Sequence, residues 1–276
     1  MNASPCGTVL AVAPNGAYKS QRDHPALPIT PREIARTAHA CNEAGAAMIH
    51  LHVRDKDGRH SLDPDSYRAA VDATRREVAD RMIIQVTSEA VDRYSTLAQI
   101  DAMKALRPRS VSLALREFLT GACDSESVDF FHWLSREKIL PQFILYDVDE
   151  LSRYISLSAS GNIPDTPHWL LFVLGRYVDG QVSSPSMLIP FLTLIDKISV
   201  PWAVCAFGSS ELACTLAATL HGGHARIGFE NNLLNVEGSV ATSNEEQIKA
   251  FADVVDSLNI RLSGADEFRN LFDGWG

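Results

Sequence analysis

The sequence predicts a (β/α)8 barrel, a TIM barrel built as one domain over residues 1–276. Three observations carry this reading. Eight short apolar runs recur along the chain, separated by longer segments whose apolar residues have helical spacing. Near-continuous apolar strands belong to a parallel sheet covered on its outer face, and eight such units can close into a barrel. The length of 276 residues suits a fold that typically takes about 250. An open, doubly wound sheet is the alternative reading of the same alternation.

The first run is Thr8–Ala13, and the polar stretch Asn15–Pro28 after it is long for a βα loop, which predicts a lid over the barrel mouth. Thr30-Pro31-Arg32-Glu33 opens the first helix as a capping box with proline at the first helical position. The second run is Met48–Val53, and Asp63-Pro64 starts the helix after it. Met82–Thr87, Ser110–Leu115, Gln142–Tyr146 and Trp169–Leu174 are the third to sixth runs. Ser184-Pro185 predicts a further helix start before the seventh run, Trp202–Phe207. The eighth is Ala225–Glu230, and Ser243-Asn244-Glu245-Glu246 begins the last helix in the S-x-x-E form. No internal repeat beyond this rhythm, low-complexity segment or interdomain linker is visible.

Hydrophobic residues at 46% and charged residues at 21% give an ordinary globular balance. A net charge of −9 and a pI near 5.4, with no Lys/Arg-rich run, exclude nucleic acid as the main partner. An anionic substrate therefore needs a local positive site. Cys6, Cys41, Cys123, Cys205 and Cys214 are odd in number and lack C-x-x-C spacing, so they read as small apolar fillers in a reducing compartment. With no leader pattern and no apolar run near 18 residues, a cytoplasmic protein without membrane contact is expected.

The chemistry centres on Met48-Ile49-His50-Leu51-His52-Val53. In a strand, residues two apart share a face, so both imidazoles converge there, at the C-terminal strand ends where barrels of this kind place their active sites. Converging imidazoles need partners for their ring nitrogens; a divalent metal satisfies one of each, and a hydrogen-bonded core pair is the alternative. In the eighth run Arg226, Gly228 and Glu230 share one face. Two histidines and a carboxylate form a common zinc set with open positions for substrate. Arg226 on that face is a buried guanidinium, which is costly unless an anion pairs with it: either an interior carboxylate or a reacting substrate.

Five stretches resemble the β-keto acid cleavage enzyme family, typified by the 3-keto-5-aminohexanoate cleavage enzyme. They are Leu27–Glu33, Glu43–Arg59 with the His-x-His pair, Phe172-Val173-Leu174-Gly175, Gly222–Glu230 and Ser243-Asn244. The resemblance runs from about residue 8 to the C-terminal end. It implies a (β/α)8 barrel with one Zn2+ on His50, His52 and Glu230, and with Arg226 as the catalytic arginine. The implied reaction condenses a β-keto acid with acetyl-CoA to give acetoacetate and a new acyl-CoA, and the implied assembly is a homotetramer. A Lewis acid that polarises the keto group, beside an arginine, suits that chemistry.

The hydroxyls of Thr87 and Ser112 stand where the family holds the substrate carboxylate. Asn15 and Tyr18 in the first loop are expected substrate contacts. Three positions depart from the pattern. Asn231 occupies the catalytic position of an aspartate and cannot act as a base. Ile144 replaces a strand-five glutamate, and Tyr18 replaces a carboxylate that faces an amino group, which points to a neutral or aromatic substrate side chain. Glu89 and Glu117, with Arg116, are candidate replacements at the mouth. The Gly208-Ser209-Ser210 turn is the candidate cofactor site, for the CoA phosphates. Two alternatives stay open: a metal-bearing barrel that binds a keto acid or other anion without cleaving it, and another metal-dependent lyase or hydrolase.

Overall fold

A computed structural model describes residues 7–121 and 124–272; the expected fillers Cys6 and Cys123 lie outside the described residues. Eight parallel strands close into a barrel: β1 (Leu10–Val12), β2 (Met48–Leu51), β3 (Ile83–Thr87), β4 (Ser110–Ala114), β5 (Leu140–Leu145), β6 (Trp169–Leu174), β7 (Trp202–Ala206) and β8 (His224–Ile227). Each pairs with the next, and β8 returns to β1 in the register Leu10↔Ala225 while Ala11 faces Met48 of β2. Helices cover the strands: α1 (Pro31–Glu43), α2 (Pro64–Val78), α3 (Thr96–Leu106), α4 (Asp124–Arg136), α5 (Val148–Ala159), α6 (Glu211–Leu220) and α7 (Asn244–Ser257). The open-sheet alternative is thereby excluded.

The helix starts form as the sequence dictates. Thr30 Oγ1 accepts from Glu33 N, and Glu33 Oε2 accepts from Thr30 N, closing the capping box. Asp63 caps α2 through Ser66 N, and Ser243 caps α7 through Glu246 N. Between β6 and β7 the pattern differs from expectation. Ser184-Pro185 opens only a 3₁₀ turn, Pro185–Leu188, followed by one helical turn, Ile189–Leu192. Ser184 makes no side-chain cap bond, and Pro190 has no backbone N–H to bond back into the Pro185–Leu188 turn, so the two segments do not join into one helix.

Alternation along the strands divides the core. Ile49 and Leu51 of β2 pack outward with Leu10, Val12 and the helices, while Met48 joins Val9, Ala11, Ile83, Leu140 and Trp169 inside. Phe268, on the short helix Ala265–Arg269, closes the lower end of the barrel against Trp169 and His224. Burying such a ring contributes about 2–3 kcal/mol. With apolar side chains filling the lower end, the polar inward residues His50, Thr87 and Arg226 gather toward the C-terminal strand ends.

Candidate active site

β2 ends at Leu51, and His52 follows just before a short hairpin, Val53–Arg54 with His60–Ser61. β8 ends at Ile227, one turn earlier than its sequence run, so Glu230 stands in the turn after the strand rather than within it. That turn carries Glu230 back over the histidine pair. The ring nitrogens His50 Nε2 and His52 Nε2 lie 3.1 Å apart, and Glu230 Oε2 lies 3.6 Å from the first and 3.4 Å from the second.

Hydrogen bonding fixes which nitrogens are bare. The Gln85 amide oxygen can only accept, so His50 Nδ1, 2.8 Å away, carries the proton. His60 Nε2 donates to the Glu89 carbonyl at 2.9 Å, which leaves His60 Nδ1 to accept from His52 Nδ1 at 3.4 Å. Burial lowers His50 and His60 to about 4 and His52 well below its ordinary value, so all three rings are neutral near pH 7. Two lone pairs therefore face each other across 3.1 Å, and Glu230 Oε2 beside them has no hydrogen-bond donor. Metal–ligand bonds of about 2.0–2.1 Å in a tetrahedron place ligand atoms about 3.3–3.4 Å apart. The triangle of 3.1, 3.4 and 3.6 Å fits those edges, and the donor set suits a divalent ion.

Arg226 projects inward from β8 with only 4% of its surface exposed. Its Nη2 donates to Glu230 Oε1 at 2.9 Å and to Cys205 Sγ at 3.3 Å, while Nε and Nη1 have no acceptor. Burial works against the Glu230 charge, but Arg226 holds its carboxyl well below the usual range. The guanidinium thus keeps two nitrogens free to donate at the floor of a narrow pocket lined also by Thr87, Glu89, Ile144, Arg176 and Phe207.

The other predicted residues separate into those that reach this pocket and those that do not. Thr87 Oγ1 accepts from Glu89 N at 3.1 Å and from Ser112 Oγ at 3.2 Å, which leaves its own proton to offer into the pocket. Ser112 stands behind it and is buried. Glu89 lines the pocket, and burial raises its carboxyl to about 7 against the opposing pull of Arg176, 3.0 Å away. Glu117 is engaged elsewhere, accepting from Ala90 N and the Gln99 amide. Arg116 is paired with Glu150 and Asp147 and lies over the Tyr146 ring.

Asn15 is fully buried, its amide donating to the carbonyls of Pro28 and His52 and accepting from His52 N. That saturation makes it a clasp for the loop rather than a group free to meet substrate. Asn231 is buried with neither side-chain atom partnered, and it is not among the residues lining the pocket. Tyr18 is 63% exposed at the rim, 5.3 Å from the Arg176 guanidinium carbon. Ser209 opens on a separate groove of about 270 Å³ with Asn232 and Lys249, away from the histidine pair.

The first loop crosses the mouth as expected. Arg54 donates to the carbonyls of Gly16, Ala17 and Lys19, and Lys19 Nζ donates to the Glu230 carbonyl at 2.7 Å. Gly16 has φ +61°, and a Cβ there would come within 2.6 Å of Glu230 Cγ, so only glycine lets the loop approach so closely.

Sequence reasoning missed Arg176, Gln85, His60 and Lys19. Arg176 directly follows Phe172-Val173-Leu174-Gly175 at the end of β6, so the rule that strand ends carry function could have found it. Gln85 shares the inward face of β3 with Thr87. For His60 no signal was available, because only the hairpin brings it to His52.

The sequence matches the beta-keto acid cleavage enzyme family over residues 8–273. The chain belongs to this family. Its similarity to the 3-keto-5-aminohexanoate cleavage enzyme of Fusobacterium nucleatum is 26% identity, covering 95% of this chain and 96% of that protein. It is 28% identical to the 3-oxoadipate:acetyl-CoA acetyltransferase of Cupriavidus necator, covering 97% and 94%. With the 3-dehydrocarnitine:acetyl-CoA trimethylamine transferase of Rhizobium meliloti it shares 25% identity, over 94% and 93%. Among solved structures, the apo form of ObcA shares the fold with a TM-score of 0.72 at 18% identity, over 90% of this chain and 65% of that one. Family membership makes the chain an enzyme of keto acid cleavage, and the histidine–glutamate triad described above is the group in it able to hold a metal among the described residues.

Proposed function

We propose that this enzyme condenses a β-keto acid with acetyl-CoA, giving acetoacetate and a new acyl-CoA, with Zn2+ on His50, His52 and Glu230. The observation that carries the reading is the pair of bare, facing imidazole nitrogens beside an undonated carboxylate oxygen and a guanidinium with two free nitrogens. Bound zinc would supply Lewis acidity toward a keto oxygen. Arg226 stabilises the negative charge that develops there, in a site where a preorganised donor is worth several kcal/mol, about 2.7–4 by analogy with oxyanion holes. Thr87 offers its hydroxyl proton to the substrate carboxylate.

Asn231 cannot accept a proton, so the base is Glu89, which faces the pocket with its carboxyl near 7 and is oriented by Arg176. This placement favours turnover over binding alone, because a pocket carboxyl near 7 can take the part of the carboxylates absent at Asn231 and Ile144. The charges at the mouth are matched internally: Arg176 with Glu89, Arg116 with Glu150, Arg226 with Glu230. Ile144, Tyr146, Val173 and Phe207 complete the wall. A substrate with an uncharged side chain fits that wall without leaving a buried charge unpaired.

The test is a panel of β-keto acids with neutral, cationic and anionic side chains, each supplied with acetyl-CoA while acetoacetate is followed, using zinc-loaded and zinc-stripped protein. Turnover is expected only with metal and fastest with the neutral members. Absence of acetoacetate from every acid with fully loaded protein would withdraw the assignment.

A further inference from the structure

Glu211 is a carboxylate that the proposed chemistry leaves unused. It is the first residue of α6, it is 2% exposed, and its Oε1 accepts from Gly228 N at 3.1 Å. Gly228 begins the turn that ends in Glu230. At that position φ is +145°, and a Cβ would meet the Ala13 carbonyl oxygen at 2.4 Å, so the backbone is pressed against β1 in a conformation open only to glycine.

The backbone N–H groups along the turn are held one by one. Phe229 N donates to Asn244 Oδ1 at 2.9 Å, and the Asn244 amide nitrogen donates to the Pro14 carbonyl. Glu230 N donates to the Ala13 carbonyl at 3.1 Å. On the carbonyl side, Asn231 O accepts from Gly208 N and Glu230 O from Lys19 Nζ. Two of the three consecutive N–H donors are therefore anchored to the loop after β1, directly or through Asn244. The donor of Gly228 alone is anchored to α6, by a buried acid. Without that acceptor the turn keeps its β1 anchors but loses the one that fixes where it leaves the barrel, and the Glu230 carboxylate can swing relative to the histidines.

We infer that Glu211 is a positioning residue of the metal centre: its carboxylate, by accepting from Gly228 N, sets the approach of Glu230 to His50 and His52 and so sets metal affinity. This rests on the proposed reading that those three residues bind a divalent ion. Groups that orient ligands from behind typically cost 10–100-fold in metal affinity when lost.

The test uses the full chain with Co2+ as the probe, its affinity measured by competition with a chelator and its coordination by the visible absorption band, alongside thermal melting of the metal-free proteins. Glu211→Ala should weaken Co2+ binding by about tenfold or more and change the band, with metal-free melting close to the parent. Glu211→Gln, whose amide oxygen can still accept, should keep the affinity within about threefold and keep the band. Glu211→Asp retains the carboxyl group and withdraws the oxygen, so it should behave like Glu211→Ala and decides the matter if the alanine variant does not fold. A parent that fails to bind Co2+ overturns the metal reading and this role together. A parent that binds, with Glu211→Asp also binding within threefold, overturns this role alone, as does a glutamine variant as weak as the alanine one.

Discussion

At Arg226 a single side chain carries both a structural and a chemical demand. It neutralises Glu230 through one nitrogen and leaves Nε and Nη1 unpaired in a buried setting, an arrangement that costs free energy unless an anion arrives. Arg226→Met removes the charge and retains much of the volume, so turnover is expected to fall by about 10²–10³, while the melting temperature of the metal-loaded protein, in which a divalent ion still compensates Glu230, changes little. Unfolding of the variant would mark the guanidinium as a fold element instead. Glu89 makes a separate prediction. A base must be ionised to accept a proton, so with its carboxyl raised to about 7 the rate should climb with pH through that value, and Glu89→Gln should abolish the limb and cost about 10²–10⁴ in rate. A limb that survives in Glu89→Gln assigns the base elsewhere. The convergence of His50 and His52 and the inward face of Arg226 were legible in the sequence from strand alternation, whereas Glu230 reaches the pair through the turn after β8, which alternation does not describe. Glu89 and Glu117 were not separable there: which of two mouth carboxylates is free depends on Gln99 and the Ala90 N–H claiming Glu117, a matter of loop geometry.

Among the elements, the loop over the mouth and the turn after β8 meet where Gly16 touches Glu230. Its φ of +61° and the 2.6 Å approach of a Cβ to Glu230 Cγ mean that Gly16→Ala must displace either the loop or the Glu230 side chain. Arg54 and Lys19 hold the loop by four hydrogen bonds to backbone carbonyls, so the side chain should yield. The expected outcome is metal affinity lowered by about tenfold with a stability loss of about 1 kcal/mol or somewhat more from the left-handed backbone, read by chelator competition and by denaturant titration. Unchanged metal affinity would show that the loop moves instead. All eight strands were legible as apolar runs, and three helix starts as caps, since burial and capping are local demands written into adjacent residues. The early end of β8 and the broken helix between β6 and β7 were not, because the first is set by contact of Gly228 with β1 and the second by two prolines whose spacing reads equally well as a helix start.

Across the whole molecule, buried neutral histidines make the fold sensitive to acid. His224, at the start of β8, accepts from Val9 N through Nδ1 and packs its ring on Phe268 at the closed end of the barrel, far from the charged mouth. Burial lowers it from 6.5 to about 4. A base whose folded value lies below its unfolded value binds its proton more readily when unfolded, so the stability it contributes is present above about 6.5 and is lost as pH falls toward 4. A shift of that size corresponds to about 3 kcal/mol. His50 and His60 act in the same direction, so the parent, kept metal-free with a chelator, should lose stability steeply between pH 6.5 and 4. His224→Asn preserves an acceptor for Val9 N and cannot titrate in this range. Denaturant titrations at pH 7, 5.5 and 4 should then show the variant losing about 3 kcal/mol less than the parent across the window, whatever its stability at pH 7. Parallel losses in the two proteins would mean that the ring is solvated or already protonated in the fold, and that the closed end of the barrel is not the dry plug that Phe268 and Trp169 make of it.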